Sequence, residues 1–229
     1  MFKLKTISLL IFIFSSQYLF VQEKKIEIIR ASSLDKDELL YPDANILKGS
    51  IEKQVHLRHD EMDIFSNNAI FFQKKNKFIA VGDVLLKQGD SLELKCDSLN
   101  YDGKIKKFFS YGKVSLINKV TKLESNELFY DRDKNIASFF SGGNIIDSLT
   151  TIQSEKGDYL LDVDKYKFRN DIIITNPDYT IESESLDYVI GQEKTYFLDS
   201  TKIIGESYEI TCKKGFYNGK LLKGYFLDN

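Results

Sequence analysis

An eight-residue phrase returns six times along this chain at an almost constant interval. It reads IFSNNAIF at 64–71, LKCDSLNY at 94–101, LESNELFY at 123–130, IQSEKGDY at 152–159, IESESLDY at 181–188 and ITCKKGFY at 210–217, with starts 30, 29, 29, 29 and 29 residues apart. Each copy opens on an aliphatic residue and carries Ser or Cys third, Asn, Asp, Glu or Lys fourth, a small or aliphatic residue sixth and an aromatic eighth. A fixed period of roughly 20 to 50 residues marks a repeat architecture, in which one supersecondary unit cannot bury its own apolar face and must stack on its neighbours. Function is therefore expected in a surface or an interior made by stacking rather than in a local cluster.

The stretch after each phrase defines the unit. Asp102-Gly103 leads into IKKFFSYGKVSL, residues 131–135 lead into IASFFSGGNII, and Asn218-Gly219 leads into KLLKGYFLDN. Short alternating runs of β-branched and aromatic residues separated by Asp, Asn and Gly predict strands, two per unit with two turns. Within the phrase, positions one and three share a parity while six and eight share the other. A bulge or bend between the third and fourth residues returns both sets to one interior. The fold expected is all-β, with bent strands repeated in register as two sheets folded over a common apolar interior, in about six to seven two-strand units. IRASSLDK at 29–36 has the same aliphatic and small beginning and is expected to be a degenerate first unit. Cys96 and Cys212 both occupy the third position. If each unit adds one strand per sheet, four units separate them by roughly 19 Å, too far for a disulfide.

The ends and the charge narrow the function. Lys3 and Lys5 precede an uncharged stretch from Thr6 to Val21, and polarity returns at Gln22. This is the pattern of an export signal, so residues 1–21 are expected to be removed and 22–229 to form the repeat domain; retention as an N-terminal anchor is the alternative. Without Lys3 and Lys5, 30 basic side chains stand against 34 acidic, a formal charge of −4, which is no footprint for nucleic acid. An enzyme on a β-helix needs convergent carboxylates or histidines, whereas the acids are scattered at turns and only His56 and His59 exist. Those two lie in HLRHDEMD beside Asp60 and Glu61, and on a strand residues three apart face opposite ways. The segment is read as a solvated strand-turn, with no catalytic set, metal site or cofactor motif.

The phrase FIAVGDVLLKQGDSLELKCDSLNYDGKIKKFFSYGKVSL, residues 78–116, resembles the repeat of the OstA/LptA family of periplasmic lipopolysaccharide-transport proteins. Ala80-Val81-Gly82-Asp83-Val84 and Asp97-Ser98-Leu99-Asn100-Tyr101 carry the likeness, which runs from about Ile46 to the C-terminus. Copies four to six are looser, with Gly157 and Gly215 at the sixth position and no glycine before Ile172 or Ile203. The resemblance implies a repeat-built β-jellyroll of bent antiparallel strands, and a periplasmic carrier whose apolar cleft along the axis of that fold shields the acyl chains of lipopolysaccharide. It further implies end-to-end self-association and contact with inner- and outer-membrane transport components. The interior positions expected to meet lipid are Leu94, Leu99, Tyr101, Val114, Leu123, Leu128, Tyr130, Ile152 and Ile181. A membrane-tethered component of the same system and a scaffold that binds no lipid are the competing readings.

Overall fold

The computed structural model describes residues 24–119 and 121–227; the export segment 1–21 and its expected cleavage before Gln22 lie outside them. The described residues are nearly all antiparallel strand, with two single-turn 3-10 helices at Gln73–Lys75 and Leu161–Val163. Six long strands, Lys77–Gln88, Leu92–Asp102, Lys107–Asn118, Thr121–Asp131, Lys165–Asn176 and Tyr179–Val189, each run through a kink. Elsewhere the same pass is broken in two at the kink, as in Met62–Ser66 and Asn68–Phe72.

The parity change in the sequence is the cause of the kink. In Leu92–Asp102 the side chains of Leu92, Leu94 and Cys96 are buried, then those of Leu99 and Tyr101, so the alternation changes phase at Asp97 and Ser98. Opposite, Val81 pairs with Ser98 and Val84 with Cys96, leaving Gly82 and Asp83 to face Asp97 alone. Two residues against one is a β-bulge. It is built from a left-handed pair: Gly82 and Asp83 at φ +80° and +45°, Gly112 and Lys113 at +74° and +47°, Asn170 and Asp171 at +66° and +48°. The expected break between the third and fourth residues thus falls on the fourth residue itself, which is left out of the pairing.

The third position has its own task at the corner. The hydroxyls of Ser66, Ser154 and Ser183 donate to the carbonyl oxygens of Asn68, Lys156 and Ser185, each two residues on, at 2.8, 3.0 and 3.3 Å. A carbonyl turned out of the ladder by the bulge is satisfied by its own strand, which explains why a small residue with a hydrogen-bonding tip recurs there. In Cys96 the thiol takes this corner, and burial pushes its pKa up to about 12, so it stays protonated.

Folding along the kinks divides one continuous set of pairings into two facing sheets. Sheet 1 runs in the order 33–35, 45–48, 68–72, 77–81, 98–102, 107–111, 127–131, 136–139, 156–160, 165–169, 185–189, 194–197, 214–218, 223–227. Sheet 2 runs 27–30, 55–59, 62–66, 84–88, 92–96, 114–118, 121–125, 143–147, 150–154, 172–176, 179–183, 201–205, 209–212. At about 4.8 Å per strand, sheet 1 is roughly 60 Å long. Each unit therefore places two strands in each sheet, not one. Cys96 and Cys212, both free and buried, sit eight strand steps apart in sheet 2, roughly 38 Å rather than 19 Å. The degenerate first unit supplies Glu27–Arg30 to the edge of sheet 2 and Ser33–Asp35 to the edge of sheet 1.

Glycine at the kink is required twice over at Gly112, since its φ is +74° and an added Cβ lies 2.9 Å from Asp97 Cβ and Cγ. Gly112→Ala is expected to lose about 1–2 kcal/mol from the left-handed conformation alone, and more from the contact. Urea unfolding should show the midpoint falling further for Gly112→Ala than for Gly89→Ala, where φ is +59° and the space beyond Cα is open. An added Asp97→Gly change, which removes the Cβ as well as the carboxyl group, should restore the steric part.

Candidate functional site

The space between the sheets is a single apolar interior. Leu94, Leu99, Tyr101 and Val114 line its first half, and Leu123, Leu128, Tyr130, Ile152 and Ile181 continue it; all nine are at most 2% exposed and belong to one cluster. They are joined by aromatic side chains from the alternate strands, with Phe78, Phe108, Phe139, Phe168 and Phe197 almost fully enclosed. Neighbouring rings stack along sheet 1: Phe108 on Tyr130 at 5.0 Å and Tyr159 on Tyr166 at 4.3 Å. The interior is filled from side to side by its own side chains.

The two long margins of this interior differ in kind. One is the kink line, where the backbone passes from sheet to sheet. At the other, the free ends of the sheets meet through side chains. The eighth-position tyrosines arrive there from sheet 1, and a second series, His59, Gln88, Asn118, Asp147 and Asn176, arrives from sheet 2 at intervals of 29, 30, 29 and 29. Tyr101 meets His59 Nδ1 at 2.6 Å, Asn118 Nδ2 donates to Tyr159 at 2.7 Å, and the Tyr188 hydroxyl donates to Asp147 Oδ2 at 3.0 Å. Each tyrosine reaches 41 or 42 residues back. Arg132 bridges the gap between, donating to Tyr101 from Nη1 at 2.7 Å and to Gln88 Oε1 from Nε at 3.3 Å. At the far end Tyr217 packs edge-on against Tyr179 at 5.1 Å.

His59 corrects the reading of HLRHDEMD as a solvated strand-turn. His56 does face outward, stacked on Phe65 and 2.6 Å from Asp63, but His59 is buried in the seam. Its Nε2 lies 3.0 Å from the carbonyl oxygen of Lys24; a carbonyl only accepts, so Nε2 carries the proton and Nδ1 accepts from Tyr101. Both ring nitrogens are used, which leaves none for a metal. Among the described residues no group of three or more His, Cys, Asp or Glu is placed to hold one. The same contacts fasten the entering chain: Asn76 donates to the Lys24 carbonyl and accepts from Ile26 N–H, and Ile26 is buried across the first end of the seam.

The profile of the OstA-like proteins matches residues 23–184, more than half of the chain. This chain belongs to the OstA-like protein family. Among curated proteins, none matches it. A similar solved structure is the crystal structure of LptH, the LptA homologous periplasmic component of the conserved lipopolysaccharide transport device from Pseudomonas aeruginosa. The likeness covers 45% of this chain and 79% of LptH, at 17% identity and a TM-score of 0.43. In this OstA-like chain the matched region ends inside the fifth copy, and the same pairing pattern carries on through the strand Lys223–Leu227.

The electrostatics of the seam follow from burial. Removal from water pushes the phenols of Tyr101, Tyr130 and Tyr159 up to about 12, and Tyr188 is raised by burial and then by the Asp147 carboxylate. Each hydroxyl remains a donor at any physiological pH. A folded-state pKa above the unfolded value of about 10 gives stability that is complete below pH 10 and lost as the pH rises through 12. In an alkaline titration the share of tyrosinate absorbance that belongs to the buried tyrosines, beyond that of exposed ones such as Tyr111 and Tyr225, is expected to appear in a steep step that coincides with loss of β-sheet circular dichroism. A gradual rise to the full amplitude of all tyrosines with the sheet intact would mean that the seam tyrosines are open to solvent.

Proposed function

We propose that this OstA-like protein carries lipopolysaccharide, or a glycolipid built like it, with the acyl chains between the two sheets. In this reading residues 1–21 direct export to the periplasm, and the carrier works between inner- and outer-membrane transport components. The supporting observation is the pairing of a continuous apolar interior with a margin held by side chains alone. Among the described residues no strand pairing spans the seam, so the sheets can part there while the kinks act as hinges. Each acyl CH2 kept from water is worth about 0.8 kcal/mol, so several chains offset the loss of a few seam contacts.

The strand edges support end-to-end assembly. Glu27–Arg30 and Ser33–Asp35 at one end, and Glu209–Cys212 and Lys223–Leu227 at the other, each have one paired neighbour among the described residues. Main-chain pairing between the last strands of one copy and the first of another would extend both sheets and continue the interior. Light scattering over a concentration series is expected to show growing assemblies. Thr211→Pro should weaken them with little cost to the fold, because proline removes a ladder donor at the edge; a strictly monomeric wild-type protein would argue against assembly.

The filled interior favours a second reading, a scaffold that uses its edges and takes no lipid. A photo-crosslinking residue at Leu123 or Leu128 separates the two. Capture of lipopolysaccharide in cells is expected from these positions and not from outward Lys122. Failure at every interior position in a protein that remains folded would favour the scaffold. Retention of residues 1–21 would instead make the same domain a membrane-tethered component.

A further inference from the structure

The seam contains one buried group that its contacts leave unused. Tyr166 lies in the strand Lys165–Asn176, paired with Tyr159 on one side and Tyr188 on the other. Its ring is stacked 4.3 Å from Tyr159 and 5.2 Å from Phe168, and it is shut off from solvent. Its hydroxyl has no hydrogen-bond partner. The corresponding strand position in other units, between successive eighth-position tyrosines, is Phe108, Ala137 or Thr195. Phe108 shows that a ring without a hydroxyl fills this place, and a buried hydroxyl without a partner is destabilising beside such a ring. The Asp147 carboxylate, the nearest acid named at this point of the seam, already accepts from Tyr188.

We infer that the Tyr166 hydroxyl is a recognition group for the guest, donating to the ester or amide carbonyl that joins an acyl chain to its headgroup. The inference rests on the carrier reading and adds where the amphiphile is gripped. An acyl chain needs the apolar interior and its headgroup needs water, so the linkage between them must stand at the boundary of the two. Tyr166 lies just inside that boundary, enclosed between the Asn118–Tyr159 and Asp147–Tyr188 contacts, so a linkage would reach it once those contacts part. A carbonyl can only accept, and burial keeps the phenol protonated and able to donate. The side chain therefore favours the carbonyl of an acyl linkage, the stronger acceptor, over the weakly accepting ether oxygen of an alkyl one.

The test compares wild type with Tyr166→Phe, using myristoyl lysophosphatidylglycerol and its 1-O-alkyl ether counterpart, both below their micelle concentrations, by titration calorimetry. The wild type is expected to prefer the ester by about fivefold, the worth of one neutral hydrogen bond. Tyr166→Phe should lose that preference while keeping its affinity for the ether. Without lipid, Tyr166→Phe is expected to melt at a higher temperature. Equal binding of ester and ether by the wild type would overturn the inference and leave the carrier reading standing. Failure of the folded wild type to bind either probe would remove both. An unchanged or lower melting temperature for Tyr166→Phe would show that a buried water already serves the hydroxyl, and this too would overturn the inference.

Discussion

The rest of the structure depends on the bulge at which two left-handed residues face one. Without it, a strand such as Leu92–Asp102 would send Leu94 and Tyr101 to opposite faces, and half of the apolar side chains would point at water. With it, both halves turn inward and a single chain of hairpins encloses its own interior. The requirement is local and steric, so it can be met by more than one residue. Gly82 and Gly112 meet it by having no side chain, while Asn170 adopts the same φ and donates from its amide to the Glu155 carboxylate at 2.9 Å.

From the bulge follows the unequal character of the two margins. Backbone continuity fixes the kink line, and the third-position hydroxyls seal its carbonyls. The seam has no such continuity and is a row of individual hydrogen bonds, worth about 1 kcal/mol net where both partners are neutral and about 1.5–3 kcal/mol where Asp147 or Arg132 takes part. The proposed carrier role would use both, a margin that yields to a hydrocarbon chain and one that does not. Because the interior is filled, a guest of the kind proposed would have to displace aromatic side chains, the stacked tyrosines and phenylalanines of sheet 1 among them.

Much of this was legible in the sequence, because the core is written at a regular period. The aliphatic first position, the parity change and the aromatic eighth position led to bent strands around a shared interior, and the nine interior residues named from them are all enclosed. Two features escaped. The number of strands per sheet was halved, since the phrase marks only one strand of each pair and its partner strand crosses the kink as well. The seam was missed because His59, Gln88, Asn118, Asp147 and Asn176 share a place but not a chemistry; their 29- or 30-residue spacing was the available signal. For His59 the polar neighbours Asp60 and Glu61 point to a solvated turn, whereas its parity with Leu57 puts it on the buried face.

The reach of the seam contacts exceeds the length of the repeat. A tyrosine that bonds 41 or 42 residues back skips over its own unit's start and ties to the unit before, so no 29-residue segment contains all of its own closures. Stacked repeats that touch only through adjoining faces can fray unit by unit from either end. Here Tyr101, Tyr159 and Tyr188 also clasp their units across the seam, and releasing one exposes polar groups belonging to its neighbour. The stack is thereby coupled more tightly than its linear layout suggests, and the loss of a single central unit would propagate in both directions.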